Sequence, residues 1–165
     1  MLKIIVIGNT GSGKSTFSKI LGKKLNLPVI HLDTYFHKKN FIQVSREEWD
    51  KIIEEFINRE KWIMDGNYKR TLDKRINSAD VVIFLDLPKW LSLYRILKRR
   101  LSYRGTTRPD MPEYLKERLT FMLIKKCLLF SRKTILEILS KHKDTKRIFI
   151  LKNTKDMDSF LNKIK

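Results

Sequence analysis

The chain has 165 residues, enough for one domain with a proper core, and its 42% apolar and 10% aromatic content is that of a folding sequence rather than a disordered one. Its 36 Lys and Arg against 18 Asp and Glu give a formal charge of +18, which favours polyanionic partners such as nucleotides, nucleic acid or acidic membrane surfaces; a lysine-rich host proteome gives the same surplus. A lone cysteine, Cys127, excludes an internal disulfide, no apolar run approaches the roughly 18 residues of a membrane span, and the apolar start MLKIIVIG is too short for a secretory leader, so a cytoplasmic protein without membrane insertion is expected.

Residues 3–8, KIIVIG, are a β-branched run closed by glycine and predict a buried strand. The next residues, GNTGSGKST, contain the spacing G-x-x-x-x-G-K-S at Gly8, Gly13, Lys14 and Ser15. Glycines let backbone N–H groups turn inward around phosphate oxygens with no Cβ in the way. Lys14 can reach the β- and γ-phosphates of a nucleotide, the Ser15 hydroxyl can ligate Mg²⁺, and the helix starting here adds its positive end. Gly8, Asn9, Thr10, Gly11, Ser12, Gly13, Lys14, Ser15 and Thr16 are therefore the predicted ATP cradle. Phe17, Ile20, Leu21 and Leu25 behind it form one helical face.

LPVIHLD (27–33) predicts a second strand ending in Asp33. Asp33 reads either as a cap or turn residue or as a group that binds or deprotonates an acceptor hydroxyl. His31, two residues earlier, reads first as packing or hydrogen bonding. TYFHKKNF (34–41) lines the expected acceptor site: aromatics such as Tyr35 could stack a base, and Lys38 and Lys39 could meet a phosphate.

Ser45 with Glu48 is a capping box that opens a helix carrying Trp49, Ile52, Ile53, Phe56 and Ile57. KWIMDG (61–66) and ADVVIFLDLP (79–88) predict strands three and four, each ending in an acid, Asp65 and Asp86. Either fits the carboxylate of a magnesium shell on pattern alone; the leading assignment is Ser15 and Asp65. From residue 89 a helix is predicted in which the Trp90, Leu93, Leu97 and Leu101 stripe packs inward and Arg95 and Arg99 lie opposite it. It belongs to RILKRRLSYRGTTRP (95–109), six positive charges and no acid. Asp110 and Glu113 flank Pro112 as start signals for a long helix from about residue 112, and Cys127 in KKCLLF reads as a buried helical thiol. RIFIL (147–151) is the fifth strand, and Met157, Phe160, Leu161 and Ile164 mark the closing helix. Strands alternating with helices imply a parallel sheet covered on both faces, with ligands at the carboxyl ends of the strands.

GSGKST, LPVIHLD, WIMDGNYKRTLDKRI, ADVVIFLDLPKWLSLYRILKRRL and RGTTRPDM, in this order, resemble the DNA topology modulation proteins, a P-loop branch similar to adenylate kinase and shikimate kinase. The resemblance spans most of residues 1–122. It implies a single three-layer α/β domain of P-loop NTPase fold over residues 1–165, like that of the nucleoside-monophosphate kinases, with a parallel five-stranded sheet in the order 2-3-1-4-5. It also implies ATP and Mg²⁺ binding. The adenylate-kinase-like pattern maps Asp65, Gly66 and a phosphate-binding Arg70 onto this chain, with one residue more than usual before the arginine. The same pattern places Arg95 and Arg99 at the start of a short lid, roughly 103–111, where Arg104 and Arg108 form the tip. A zinc-binding lid is ruled out by the single cysteine.

The leading reading is an ATP-dependent phosphotransferase. Lys14, Arg95 and Arg99 neutralise the transferring phosphoryl group. Asp33 handles the acceptor, with Tyr35, Arg70 and Arg108 as further substrate residues. The acceptor is a small molecule, a nucleoside or nucleotide by first expectation. The second reading is an ATP-switched DNA-binding regulator of DNA topology that meets the nucleic-acid backbone through its basic face, since no helix-turn-helix or zinc-finger signature is present. A P-loop fold kept only for partner binding fits poorly with three acids at strand ends.

Overall fold

The computed structural model describes residues 2–36, 43–102 and 121–164. The elements run β1 (Lys3–Gly8), α1 (Lys14–Leu25), β2 (Val29–His31), α2 (Leu32–Phe36), α3 (Arg46–Asn58), β3 (Trp62–Asp65), α4 (Lys69–Ser78), β4 (Val81–Leu85), α5 (Lys89–Ser102), α6 (Phe121–Leu128), α7 (Arg132–Ser140), β5 (Arg147–Leu151) and α8 (Thr154–Lys163). The five strands form one sheet in the order β2-β3-β1-β4-β5, and each of the four pairings is parallel. This is the order the resemblance implied.

Period-two alternation splits the strands between two cores. Ile5, Ile7, Met64, Val82 and Phe84 face α3, α4 and α7 through Trp49, Ile53, Leu72, Ile76, Ile135 and Leu139. Ile4, Val6, Ile63, Ile83 and Leu85 face α1 and α8 through Phe17, Leu21, Met157 and Leu161. A parallel sheet can be stable only when both faces are covered in this way, which gives the three layers. Burial explains why the runs of β1, β3 and β4 read as nearly continuous apolar stretches, whereas the edge strand β5 leaves Phe149 and Ile150 exposed.

The local signals that start the helices mostly appear as expected. The Ser45 hydroxyl accepts a hydrogen bond from the Glu48 N–H at 3.1 Å and caps α3. Asn153 and Ser131 cap α8 and α7 in the same manner. Two expectations need correction, and a third reaches beyond the described residues. Strand two ends at His31, and Asp33 sits in the first turn of the short helix α2. An acid there is stabilised by the positive helix end, which favours helix over strand. The start expected for a long helix near residue 112 lies outside the described residues; α6 is described from Phe121 to Leu128, and Ser131 caps a separate helix, α7.

The second correction concerns α5. Its Trp90, Tyr94 and Leu97 side chains are 69%, 54% and 49% exposed, whereas Ser92 and Ile96 are buried. The helix therefore turns its other face inward. Gly11 explains the choice: its φ is +82°, and a Cβ there would lie 2.5 Å from the Ser92 carbonyl oxygen and 2.9 Å from Ile96 Cγ1. The backbone of α5 rests directly on the glycine-rich turn, so the small Ser92, Ile96 and the arginine side of the helix pack inward. Periodicity locates a coherent face; the partner decides which face is buried.

Candidate functional site

Every strand of the central sheet delivers its carboxyl end to one edge, and the candidate site is built there. Central strand β1 ends in Gly8 and runs straight into the glycine-rich turn before α1. Gly8, Gly11 and Gly13 have φ of +155°, +82° and +93°, values that L side chains rarely adopt. The turn is closed by Ser12 N–H donating to the Asn9 carbonyl at 3.1 Å and by Phe17 N–H donating to the Gly13 carbonyl at 2.9 Å. The first turn of α1 leaves N–H groups without intrahelical acceptors, the usual basis of anion binding at a helix start. Ser15 and Thr16 belong to that turn.

Lys14 folds back over the turn, and its ammonium donates to the carbonyls of Gly8 at 3.0 Å and Asn9 at 2.9 Å. Arg95 reaches across from α5: Nη1 donates to the Ser12 carbonyl at 2.8 Å and Nη2 to Thr154 Oγ1 at 3.2 Å. One guanidinium thus ties the glycine-rich turn to the start of α8. Arg99 lies one turn further along the same helix, half-buried. Asn9 is buried, and its side-chain amide donates to the Cys127 carbonyl at 3.0 Å, anchoring the turn to α6. Cys127 is a buried helical thiol, as read from the sequence, and burial raises its pKa.

The acids separate. Asp65, 4% exposed, ends β3 opposite Val6 of β1, and its Oδ2 lies 2.9 Å from Nδ1 of His31 at the end of β2. Asp86 is instead held by Arg132 of α7, whose Nε lies 2.8 Å from both carboxylate oxygens and whose Nη2 lies 2.8 Å from Oδ2. A carboxylate held this closely by a guanidinium is committed to a structural ion pair, which leaves Asp65 as the strand-end acid beside the turn. Among the described residues no group of three His, Cys, Asp or Glu could hold a metal ion. The hydroxyl of Ser15 and the carboxylate of Asp65 are hard oxygen donors of the type Mg²⁺ takes when phosphates and waters complete its shell.

On the other flank, Asp33 Oδ1 accepts a hydrogen bond of 2.5 Å from the hydroxyl of Tyr68. Burial first, then the charge of Asp33 and that hydrogen bond, raise the Tyr68 pKa, so the phenol stays a neutral donor. Tyr68 packs with Phe36 and Trp49, ring centroids 4.7 Å away in both pairs. Tyr35 is exposed and meets Phe56 edge-on at 4.8 Å. Arg70 is not brought to this edge. Its Nη1 pairs with Asp50 at 2.8 Å and its Nη2 donates to the Arg46 carbonyl at 3.0 Å, both on α3. The expected lid at 103–111 with Arg104 and Arg108, and Lys38 and Lys39, lie outside the described residues.

Two residues of the site escaped sequence reasoning. Asn67 holds the backbone of Gly8 on both sides of its Cα: the Gly8 N–H donates to Oδ1 at 3.0 Å and Nδ2 donates to the Gly8 carbonyl at 2.7 Å. Arg75 is fully buried and donates to three consecutive carbonyls, Gly66 at 3.0 Å, Asn67 at 2.9 Å and Tyr68 at 3.2 Å. Burial lowers its pKa to about 10, which leaves it cationic at neutral pH. Its signal was present: Arg75 shares the inward face of α4 with Thr71, Leu72 and Ile76, and an arginine in an apolar stripe needs a polar purpose.

A five-stranded parallel sheet of this order, with a glycine-rich turn after its central strand, is a fold that this chain shares with solved small-molecule kinases. Shikimate kinase from Acinetobacter baumannii in complex with shikimate superposes with a TM-score of 0.60 at 16% identity, covering 99% of this chain and 90% of that one. A gluconokinase from Sinorhizobium meliloti 1021 gives 0.56 at 19%, covering 99% and 89%. Deoxyadenosine kinase from M. mycoides with bound dATP gives 0.54 at 18%, covering 98% of both chains. In sequence, a Methanocaldococcus jannaschii protein that carries the name "Putative adenylate kinase" is 27% identical over 151 residues, 89% of this chain and 81% of that protein. No family model matches the chain, so its likeness to the DNA topology modulation proteins stays a resemblance. Among the described residues no helix is long and apolar enough to cross a membrane.

Proposed function

We propose that the chain is an ATP-dependent phosphotransferase that moves the γ-phosphoryl group to a hydroxyl of a small acceptor, a nucleoside or nucleotide. The observation that carries this reading is the glycine-rich turn at the end of β1, which carries Lys14 and has Arg95 docked on its Ser12 carbonyl. The named M. jannaschii relative and the dATP-bound deoxyadenosine kinase support a nucleotide-type acceptor. The DNA-regulator reading rests on net charge, and no described feature adds to it.

The residues divide the work by position. Backbone N–H groups from Gly8 to Thr16 receive the ATP phosphates, and the Lys14 ammonium moves from loop carbonyls to phosphate oxygens. Ser15 and Asp65 would hold Mg²⁺, which when bound neutralises charge on the phosphates. His31 keeps the Asp65 carboxylate oriented from the neighbouring strand end. Arg95 fixes the outer wall of the turn, and Arg99 supplies charge to the transferring group. Asp33, aligned by Tyr68, orients the acceptor hydroxyl and takes its proton as the oxygen attacks. Tyr35 lines the acceptor side, and Arg108 is the lid residue assigned to substrate. Phosphoryl transfer needs little covalent help from protein, so placement and charge suffice.

The test is incubation with γ-labelled ATP and a panel of nucleosides, nucleotides and small hydroxyl metabolites, with Lys14→Ala as control. Label should enter one acceptor class with the unaltered chain and none with the variant. Label transfer that persists at full rate in Lys14→Ala, or transfer to no acceptor alongside tight ATP-switched DNA binding, would overturn the reading.

A further inference from the structure

The Gly8 carbonyl accepts from two side chains at once, Asn67 Nδ2 at 2.7 Å and Lys14 Nζ at 3.0 Å. Lys14 also donates to the Asn9 carbonyl at 2.9 Å, so its ammonium rests on the turn itself. A nucleotide can use that ammonium only by drawing it off these carbonyls. When Lys14 leaves, the Gly8 carbonyl keeps the Asn67 amide, and the Gly8 N–H keeps Asn67 Oδ1 at 3.0 Å. A half-buried carbonyl left without a donor would resist the transfer, because an unmade hydrogen bond costs more than a made one gains. Asn67 is itself held by its own carbonyl, which accepts from the buried Arg75 at 2.9 Å.

From this we infer that Asn67 is a positioning residue for nucleotide capture: by satisfying both backbone polar groups of Gly8, it frees the Lys14 ammonium to pass from the turn to phosphate oxygens. The role deepens the proposed function and rests on it, since it presumes that the turn binds a nucleoside triphosphate. Asn67 acts through Lys14 and need not touch the ligand. The alternative is that Asn67 merely staples the turn, in which case its loss would harm nucleotide binding whether or not Lys14 is present.

A double-mutant cycle on Mg·ATP affinity separates the two. The unaltered chain, Asn67→Ala, Lys14→Ala and the double variant are titrated with a non-hydrolysable ATP analogue and Mg²⁺. Asn67→Ala should weaken binding roughly fivefold, the worth of about one neutral hydrogen bond, when Lys14 is present, and less than twofold when it is absent. Equal factors in both backgrounds would overturn the inference. Asn67→Asp provides a second arm: it keeps the shape and the acceptor for the Gly8 N–H, removes the donor to the Gly8 carbonyl, and sets a carboxylate beside the Lys14 ammonium. It should weaken Mg·ATP more than Asn67→Ala does, and affinity equal to that of the unaltered chain would overturn the inference as well. If the unaltered chain binds no Mg·ATP, the proposed function itself falls; if it binds and the cycle closes to zero, only the role of Asn67 falls.

Discussion

Replacing Arg75 by Met removes one guanidinium fork from three carbonyls while keeping a similar side-chain volume. The carbonyls of Gly66, Asn67 and Tyr68 are main-chain groups, so no substitution at position 75 can remove them along with their donor. Hydrogen bonds to charged groups contribute about 1.5–3 kcal/mol each, a gross loss of roughly three times that. Relief from burying the cation returns several kcal/mol, but three neutral carbonyls left without their donor cost about 1–3 kcal/mol each, for a net loss on the order of 3–5 kcal/mol. At about 2–4 °C per kcal/mol for a chain of this length, the midpoint of thermal unfolding should drop by the order of 10 °C. Urea unfolding followed by far-UV circular dichroism should show a lower midpoint with an unchanged slope. Arg75→Lys, which can reach one carbonyl but cannot fork across three, should fall between. Stability of Arg75→Met within about 0.5 kcal/mol of the unaltered chain, the range of an ordinary surface change, would refute the argument that this residue holds the β3–α4 turn.

The two strand-end acids should respond differently. Asp65→Asn should lower turnover at saturating Mg·ATP at least about tenfold, as expected for loss of a charge at the metal shell; Asp86→Asn should leave Mg²⁺ dependence unchanged and lower stability by ~1–2 kcal/mol through the lost Arg132 pair. A Mg²⁺ titration of turnover in which Asp86→Asn is the more affected would reverse the assignment. Asp33→Asn should depress transfer to the acceptor while ATP affinity, read by calorimetry, stays within about twofold, since the proposed mechanism has Asp33 meet the acceptor and not the nucleotide. Equal loss of ATP affinity would move Asp33 to a structural role.

Much of the fold was legible because its signals are local or strictly periodic. The β-branched runs, the Ser45 capping box and the glycine spacing each follow from short-range chemistry. The sheet order came from resemblance, since pairing is non-local and no residue pattern in a buried parallel strand names its neighbour. Orientation was the weak point. The stripe of Trp90 and Leu97 is a true helical face, but α5 is pinned by the close approach of its backbone to Gly11, a contact between segments about 80 residues apart. Asp33 was placed at a strand end because alternation in HLD continues past His31; the acid instead stabilises the first turn of α2. Asp65 and Asp86 have the same local pattern, and only the tertiary partner, Arg132 for one and His31 for the other, tells them apart. Arg70 was assigned by motif position, and the extra residue in the turn before it carries its side chain toward Asp50.

The graded exposure of the three tryptophans gives the molecule a built-in set of optical reporters. Trp62 opens β3 and is sealed in the core, Trp49 lies within the aromatic group next to Asp33, and Trp90 stands in solvent on α5. Indole emission moves to longer wavelength and becomes open to aqueous quenchers as the ring meets water. Iodide should therefore silence the Trp90 component and leave the other two. With Trp90 changed to Phe, the remaining blue-shifted light divides between a ring that answers to the integrity of the sheet and a ring that answers to whatever settles against Tyr68 and Asp33. Occupancy of the acceptor side and melting of the core could then be read in the same cuvette, without attaching a dye.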